Sequence, residues 1–207
     1  MTTIHLVRHG QTNWNLEKRI QGQTESELTD LGQQQAREIG QILKDVKFDT
    51  AYSSSSIRAH NTAKHILEHH DLPLNINEQL REIFLGSWEG NLYDDMKITH
   101  PEHHQHFWQD PSLFNLPGAE SFYDIQNRAI KALESIIEKE KNKTILIVSH
   151  GIWIKVLLSK IENKHLKDLW LPPKMTNCCH SIIAHDNSER FSLDNFSIQQ
   201  YANMKEW

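Results

Sequence analysis

Cysteine is nearly absent from this chain. Only two of its 207 residues are cysteine, and they are adjacent, Cys178 and Cys179. Neighbours in sequence are badly placed to staple a fold, so they read as reduced thiols of a cytoplasmic protein. Long hydrophobic runs are missing as well, and nothing approaches the roughly 20 apolar residues of a membrane helix. Nor is there an excess of positive charge: 22 Lys and Arg stand against 27 Asp and Glu, for a net charge of -5. No basic field exists to draw nucleic acid or an anionic membrane. Met1-Thr2-Thr3-Ile4 enters an apolar run with no basic region before it, so a secretory leader is not expected. The length suits one α/β domain over 1–207 with a sizeable core.

What is present is a repeated strand ending. Leu6-Val7-Arg8-His9-Gly10 returns in altered form as Ile147-Val148-Ser149-His150-Gly151. Each histidine follows a short apolar run, Ile4 to Val7 and Ile145 to Val148, of the kind that forms a strand buried on both faces of a parallel sheet. Helical periodicity runs from Thr29 through Leu31, Ala36, Ile39, Ile42 and Leu43, and again over Ala119–Glu140. Further helices are expected from Ser53–Ser56 to about Glu68 and from Ile152 to about Ile161. Short strands are expected at Asp49–Ser53 and Leu72–Ile76, with late strands at His180–Ala184 and Phe191–Ser197 forming an edge hairpin. The pattern predicts a three-layer α/β sandwich, its mainly parallel central sheet covered by helices on both faces. Residues from about 88 to 120 break the alternation. They hold Pro101, Pro111 and Pro117 with many aromatics, and read as an inserted helical lid.

In parallel sheets, chemistry collects beyond the carboxyl ends of the strands, where His9 and His150 would meet. A neutral imidazole at His9 can attack phosphorus and split one displacement into two. Arg8 offers a planar fork of donors to phosphate oxygens, and Gly10 would let the backbone pass close to the bound group. Taken singly, each has an ordinary alternative: strand-end packing for Arg8 and His9, a surface helix arginine for Arg58, a core histidine for His150.

The wider pattern decides between these. Arg8-His9-Gly10-Gln11-Thr12-Asn13-Trp14-Asn15, Arg19-Ile20-Gln21-Gly22 and Leu28-Thr29-Asp30-Leu31-Gly32 closely resemble the opening of the histidine phosphatase superfamily. The resemblance continues in order through Ser53, Arg58-Ala59, Leu80-Arg81-Glu82, Gly86–Gly90, Pro117–Ser121, Val148–Gly151 and Asn177-Cys178. It implies a phosphate pocket of Arg8, His9, Arg58 and His150, with Asn15 adding a side-chain contact and Gln21, Gly22 and Gly151 in the binding set. Two guanidiniums and His150, cationic when protonated, would hold a phosphate dianion. Glu82 matches the family's acidic proton donor, and a neighbouring dianion would raise its pKa. The rival carboxylates are Glu89, expected at solvent or a helix start, and Glu120, expected at the substrate entrance. One departure stands out: Glu25-Ser26-Glu27 replaces the family's usual aspartate, small residue and proline.

The resemblance implies phosphoryl transfer without cofactor or metal, on a small phosphorylated substrate. Phe84–Gly90 is similar to the small phosphatase branch, which includes broad-specificity and α-ribazole phosphatases. The family's phosphoglycerate mutases must also hold a carboxylate. Asn91–Ile125 carries one cation, Lys97, against Asp94, Asp95, Glu102, Asp110, Glu120 and Asp124, so the lid suits a second anion badly. A phosphomonoesterase is therefore expected, with a mutase as the alternative and a phospho-ligand binding module as the second. The aromatics Trp88, Tyr93, Phe107, Trp108, Phe114 and Phe122 would either form an apolar mouth or build the lid's own core. His100, His103, His104 and His106 lack the carboxylates or cysteines of a zinc site and read as a solvated helix face. The sequence leaves the oligomeric state open.

Overall fold

The architecture comes from a computed structural model, which describes residues 1–186 and 191–192. Its strands are β1 (Thr2–Arg8), β2 (Thr50–Ser54), β3 (Leu74–Asn77), β4 (Thr144–Ser149), β5 (His180–His185) and the two-residue β6 (Phe191–Ser192). They form one sheet in the order β3-β2-β4-β1-β5-β6. β1, β2, β3 and β4 run parallel, β5 lies antiparallel to β1, and β6 pairs antiparallel with β5. The expected edge hairpin is thus present at β5–β6; the rest of the predicted late strand, 193–197, lies outside the described residues.

Seven α-helices accompany the sheet among the described residues: α1 (Asn13–Leu16), α2 (Asp30–Leu43), α3 (Ile57–Ile66), α4 (Tyr93–Thr99), α5 (Pro101–Gln109), α6 (Phe122–Lys139) and α7 (Gly151–Ile161). The alternation of side chains along β4 explains the layering. Ile145 and Ile147 join a core with α6 and α7, while Leu146 and Val148 join another with α2 and α3. All four are fully buried, which is why the run is apolar at every position rather than at every second one.

Caps set the helix starts. The Thr29 hydroxyl accepts from Gly32 N at 2.9 Å, and Ser121 and Asp124 form a reciprocal capping box before α6. The stripe predicted for α2 needs correction. Ala36, Ile39 and Leu43 are buried, but Leu31 and Ile42 are exposed; the small Gly32 and Gly40 complete the packed face instead. Close approach to neighbouring backbone therefore outweighs hydrophobicity along this helix.

The segment around 88–120 holds α4, α5 and a short 3₁₀ turn at Pro111–Leu113. Trp88, Phe107, Phe114 and Phe122 are buried together, with ring centroids 5.2–5.8 Å apart. No helix among the described residues is long and apolar enough to cross a membrane.

Candidate active site

The strand register creates the site. β4 lies between β1 and β2, with Arg8 opposite Ser149 and Ser53 opposite Val148. His9, Ser54 and His150 therefore emerge side by side at the carboxyl edge. A cleft of about 350 Å³ opens there, lined among others by Arg8, His9, Asn15, Gln21, Gly22, Arg58, Glu82 and Gly151. Eight of the nine residues singled out in the sequence stand in its wall. The ninth, His150, is fully buried behind it, its ring centroid 5.3 Å from that of His9.

His9 Nδ1 lies 2.7 Å from the Gly10 carbonyl oxygen. A carbonyl only accepts, so Nδ1 carries the hydrogen and Nε2 keeps its lone pair. Burial, reinforced by the Arg58 and Arg8 charges, holds the His9 pKa well below the usual imidazole value, and the ring stays neutral. His150 is also held neutral, by burial and then by Arg58, His9 and Arg8. The protein's own surroundings thus disfavour the cationic His150 that a phosphate dianion would favour. The neutral ring can still donate. Ser54 is fully buried, its Oγ accepts from Ser56 N, and among the described residues its hydrogen has no acceptor other than His150 Nε2 at 2.8 Å, so the hydroxyl donates to that nitrogen. His150 Nδ1 is then an N–H, buried and without a partner.

The arginines are anchored through their outer nitrogens. Arg58 donates from Nη1 to Thr24 O at 2.8 Å and from Nη2 to Gly22 O at 2.7 Å. Arg8 donates from Nη1 to Met175 O. Burial lowers the Arg58 pKa to about 10, so it remains a cation at neutral pH. The Nε of each arginine is buried and unpaired. A buried donor left unmade costs about 1–3 kcal/mol, and one anion in the cleft can satisfy all three.

Glu82 is placed by the N-terminus of α7. Its Oε1 accepts from Ile83 N and Trp153 N, and its Oε2 from Ile152 N, all at 3.0–3.1 Å. Burial raises its pKa above the ordinary carboxylate value, while those backbone donors and then Arg58 act against the rise. Arg128 braces the same loop, donating to the carbonyls of Gln79, Arg81 and Glu82.

Three sequence expectations change here. Glu120 is not in the cleft wall; it pairs with Arg128 at 2.8 Å and accepts from Phe84 N. Glu89 does not face solvent or start a helix. It accepts from Gln23 N, Thr24 Oγ1 and Leu85 N, tying the loop after α1 to the turn before α4. Gly10 answers to packing rather than to the ligand, since a Cβ there would stand 2.4 Å from Gly32 O.

The Glu25-Ser26 departure proves structural. Glu25 Oε2 accepts from Ile57 N at the start of α3, where Ser56 makes no side-chain cap bond. Ser26 Oγ donates to Gln21 Oε1 at 2.6 Å, and Asn177 Nδ2 reaches Asn15 Oδ1 at 3.3 Å. Both wall amides are thereby held through their oxygens.

The aromatics divide: Tyr93, Phe107 and Trp108 line the cleft, while Trp88, Phe114 and Phe122 do not. Burial, and then the Glu82 charge, pushes the Tyr93 phenol up to about 12, so it stays protonated. Lys155, Trp170, Lys174 and Met175 complete the outer wall. Sequence reasoning missed them, because they come from α7 and the irregular segment after it and carry no motif. Among the described residues no three His, Cys, Asp or Glu side chains gather to hold a metal ion, the His100–His106 group included.

The sequence profile of the histidine phosphatase superfamily, branch 1, matches residues 4–198. The chain belongs to that superfamily. It is 33% identical over 203 residues to a Bacillus subtilis protein named uncharacterized phosphatase PhoE, covering 97% of each chain. It is 31% identical over 194 residues to a probable phosphoglycerate mutase GpmB of Erwinia tasmaniensis, covering 91% of this chain and 87% of that one. The solved structure of Bacillus stearothermophilus YhfR superposes with a TM-score of 0.91 at 39% identity, covering 93% and 95%. This histidine phosphatase is thus an enzyme of the phosphatase type, with the superfamily's α/β fold.

Proposed function

We propose that the chain is a phosphomonoester hydrolase that needs no metal and acts through a phosphohistidine at His9 on a small phosphorylated metabolite. One observation carries this reading: the unpaired donors Arg8 Nε, Arg58 Nε and His150 Nδ1 stand beside an imidazole whose Nε2 is free. The His9 lone pair attacks phosphorus as the ester P–O bond breaks, and the Glu82 proton passes to the departing alkoxide. Water then attacks the phosphohistidine, its proton returning to Glu82, and inorganic phosphate leaves. The two arginines and His150 stabilise the charge on the equatorial oxygens in both steps. The α4–α5 segment acts as the lid, and the two buried free cysteines support a cytoplasmic setting.

A mutase is the second reading, favoured by the GpmB-like relative. Hydrolysis is the better supported, because the phosphatase PhoE matches at 33% identity over 97% of each chain, whereas the GpmB-like protein matches at 31% with 87% of its own length covered. Assays of p-nitrophenyl phosphate and 3-phosphoglycerate, with wild type and His9→Ala, separate the readings. Hydrolysis that survives EDTA and is lost in His9→Ala supports the phosphatase. Interconversion of phosphoglycerates with negligible hydrolysis would replace it with the mutase. Ligand binding without turnover would leave a phospho-ligand binding module.

A further inference from the structure

The cleft wall holds four cationic side chains: Arg8, Arg58, Lys155 and Lys174. Three are committed to backbone carbonyls. Arg8 holds Met175 O, Arg58 holds Gly22 O and Thr24 O, and Lys155 Nζ holds Leu171 O at 2.8 Å and Pro173 O at 2.7 Å. Lys174 alone of the four has no hydrogen bond or ion pair among the described residues, and it is exposed. The carbonyls taken by Lys155 and Arg8 flank it in sequence. The segment 171–175 is thus a strap tied on either side of Lys174, with its last tie made by a guanidinium of the phosphate pocket.

The strap also has two sides. Leu171, Pro172, Pro173 and Met175 of the strap also line a second cavity of about 280 Å³, whose wall includes Glu162, Lys164 and Asp168 but not Lys174. The carboxylates Glu162 and Asp168 line that cavity and not the reacting cleft, and Glu162 is paired with Lys164 at 3.0 Å. Lys174 lines the cleft, together with Tyr93, Phe107, Trp108 and Trp170. A phosphate held by Arg8 and Arg58 leaves the rest of its ester pointing toward this mouth. One free ammonium among aromatic rings is a receptor for a single further negative charge.

We infer that Lys174 is a specificity-determining residue, selecting phosphomonoesters that carry a second anionic group, carboxylate or phosphate, at the end remote from the scissile phosphate. The inference rests on the phosphatase reading of the cleft and names its substrate class. It reverses the expectation from the lid composition: the lid supplies no cation to the mouth, and the strap does. Lys155 is a positioning residue, acting through the strap.

Matched ligand pairs test this by affinity, apart from turnover. Calorimetry on His9→Ala compares 3-phosphoglycerate with glycerol 3-phosphate, which differ by a carboxylate. Fructose 1,6-bisphosphate against fructose 6-phosphate does the same for a second phosphate. The carboxylate pair, the bisphosphate pair or both should show a preference for the extra charge. Adding Lys174→Met should shrink that preference roughly three- to tenfold, as for a partly screened ion pair, and added salt should shrink it too. Lys174→Arg should restore most of it, and Lys155→Met should lower it as well. An absence of preference in both pairs, or a preference indifferent to Lys174→Met, overturns the inference. The phosphatase reading stands or falls separately, on hydrolysis by the wild type.

Discussion

The two strand ends that carry a histidine before a glycine resemble each other in sequence and differ in what binds each ring. At the end of β1 the Gly10 carbonyl takes Nδ1 of His9, which leaves a lone pair on Nε2. At the end of β4 the Ser54 hydroxyl takes Nε2 of His150, which leaves an unpaired Nδ1–H. In the proposed reaction one ring attacks and the other donates. The difference comes from the neighbours rather than from the histidines: a carbonyl can only accept, whereas a hydroxyl already accepting from Ser56 N can give its hydrogen away. A repeated motif is thereby given two different hydrogen-bonding states by the partners that the sheet order brings to it.

Substitutions at each end should separate these roles. Removing the proposed nucleophile has the largest expected effect: His9→Ala should lower kcat by roughly 10⁴-fold or more for every substrate. His150→Ala removes a charge-stabilising donor and should cost roughly 10²–10³-fold, with adduct formation at His9 slowed but not abolished. Equal and total losses in the two variants, read by single-turnover quench, would erase the distinction.

Glu82→Gln should lower kcat/KM for an alkyl phosphate by about 10²-fold or more, and far less for p-nitrophenyl phosphate, whose phenolate leaves without a proton. The sign of the pH dependence follows from the raised pKa of Glu82. Its acid form persists to higher pH than an ordinary carboxyl, and the donor is lost as pH rises through that pKa. The kcat/KM profile for the alkyl phosphate should therefore fall on the alkaline side, and that limb should be absent in Glu82→Gln. Loss of equal size on both substrates would remove Glu82 from the donor role.

The smallest effect is expected at Ser54→Ala, which releases His150 Nε2 without touching His9. A loss of about tenfold or less in kcat, with affinity for inorganic phosphate weakened, would show that the hydroxyl fixes the donor ring. A loss as large as that of His9→Ala would mean that Ser54 takes part more directly.

The sequence exposed those parts of the site that depend on local chain. A strand end followed by His-Gly keeps its meaning wherever the strand is placed, so His9, His150 and Arg8 were legible, as were β1 and β4 themselves. Glu82 and Arg58 were legible through the ordered resemblance. Partners that meet across the fold were not. Nothing near Glu120 in sequence marks it as the mate of Arg128, and nothing near Glu25 marks it as the carboxylate that meets the start of α3. The strap residues Trp170, Lys174 and Met175 carry no periodicity, so their place in the wall emerges only when α7 has packed on the sheet. The aromatics between 88 and 122 show the same limit, because hydrophobicity alone does not separate Phe107 and Trp108 in the cleft wall from Phe114 and Phe122 in the core.

Rapid mixing with a phosphomonoester, alkaline quench and peptide mass spectrometry would show which ring carries the phosphoryl group. An acid-labile adduct is expected on the peptide containing His9, formed and consumed at rates compatible with turnover, and still forming on that residue in His150→Ala. Steady hydrolysis with no such adduct, or an adduct on His150, would contradict the division of roles between the two histidines.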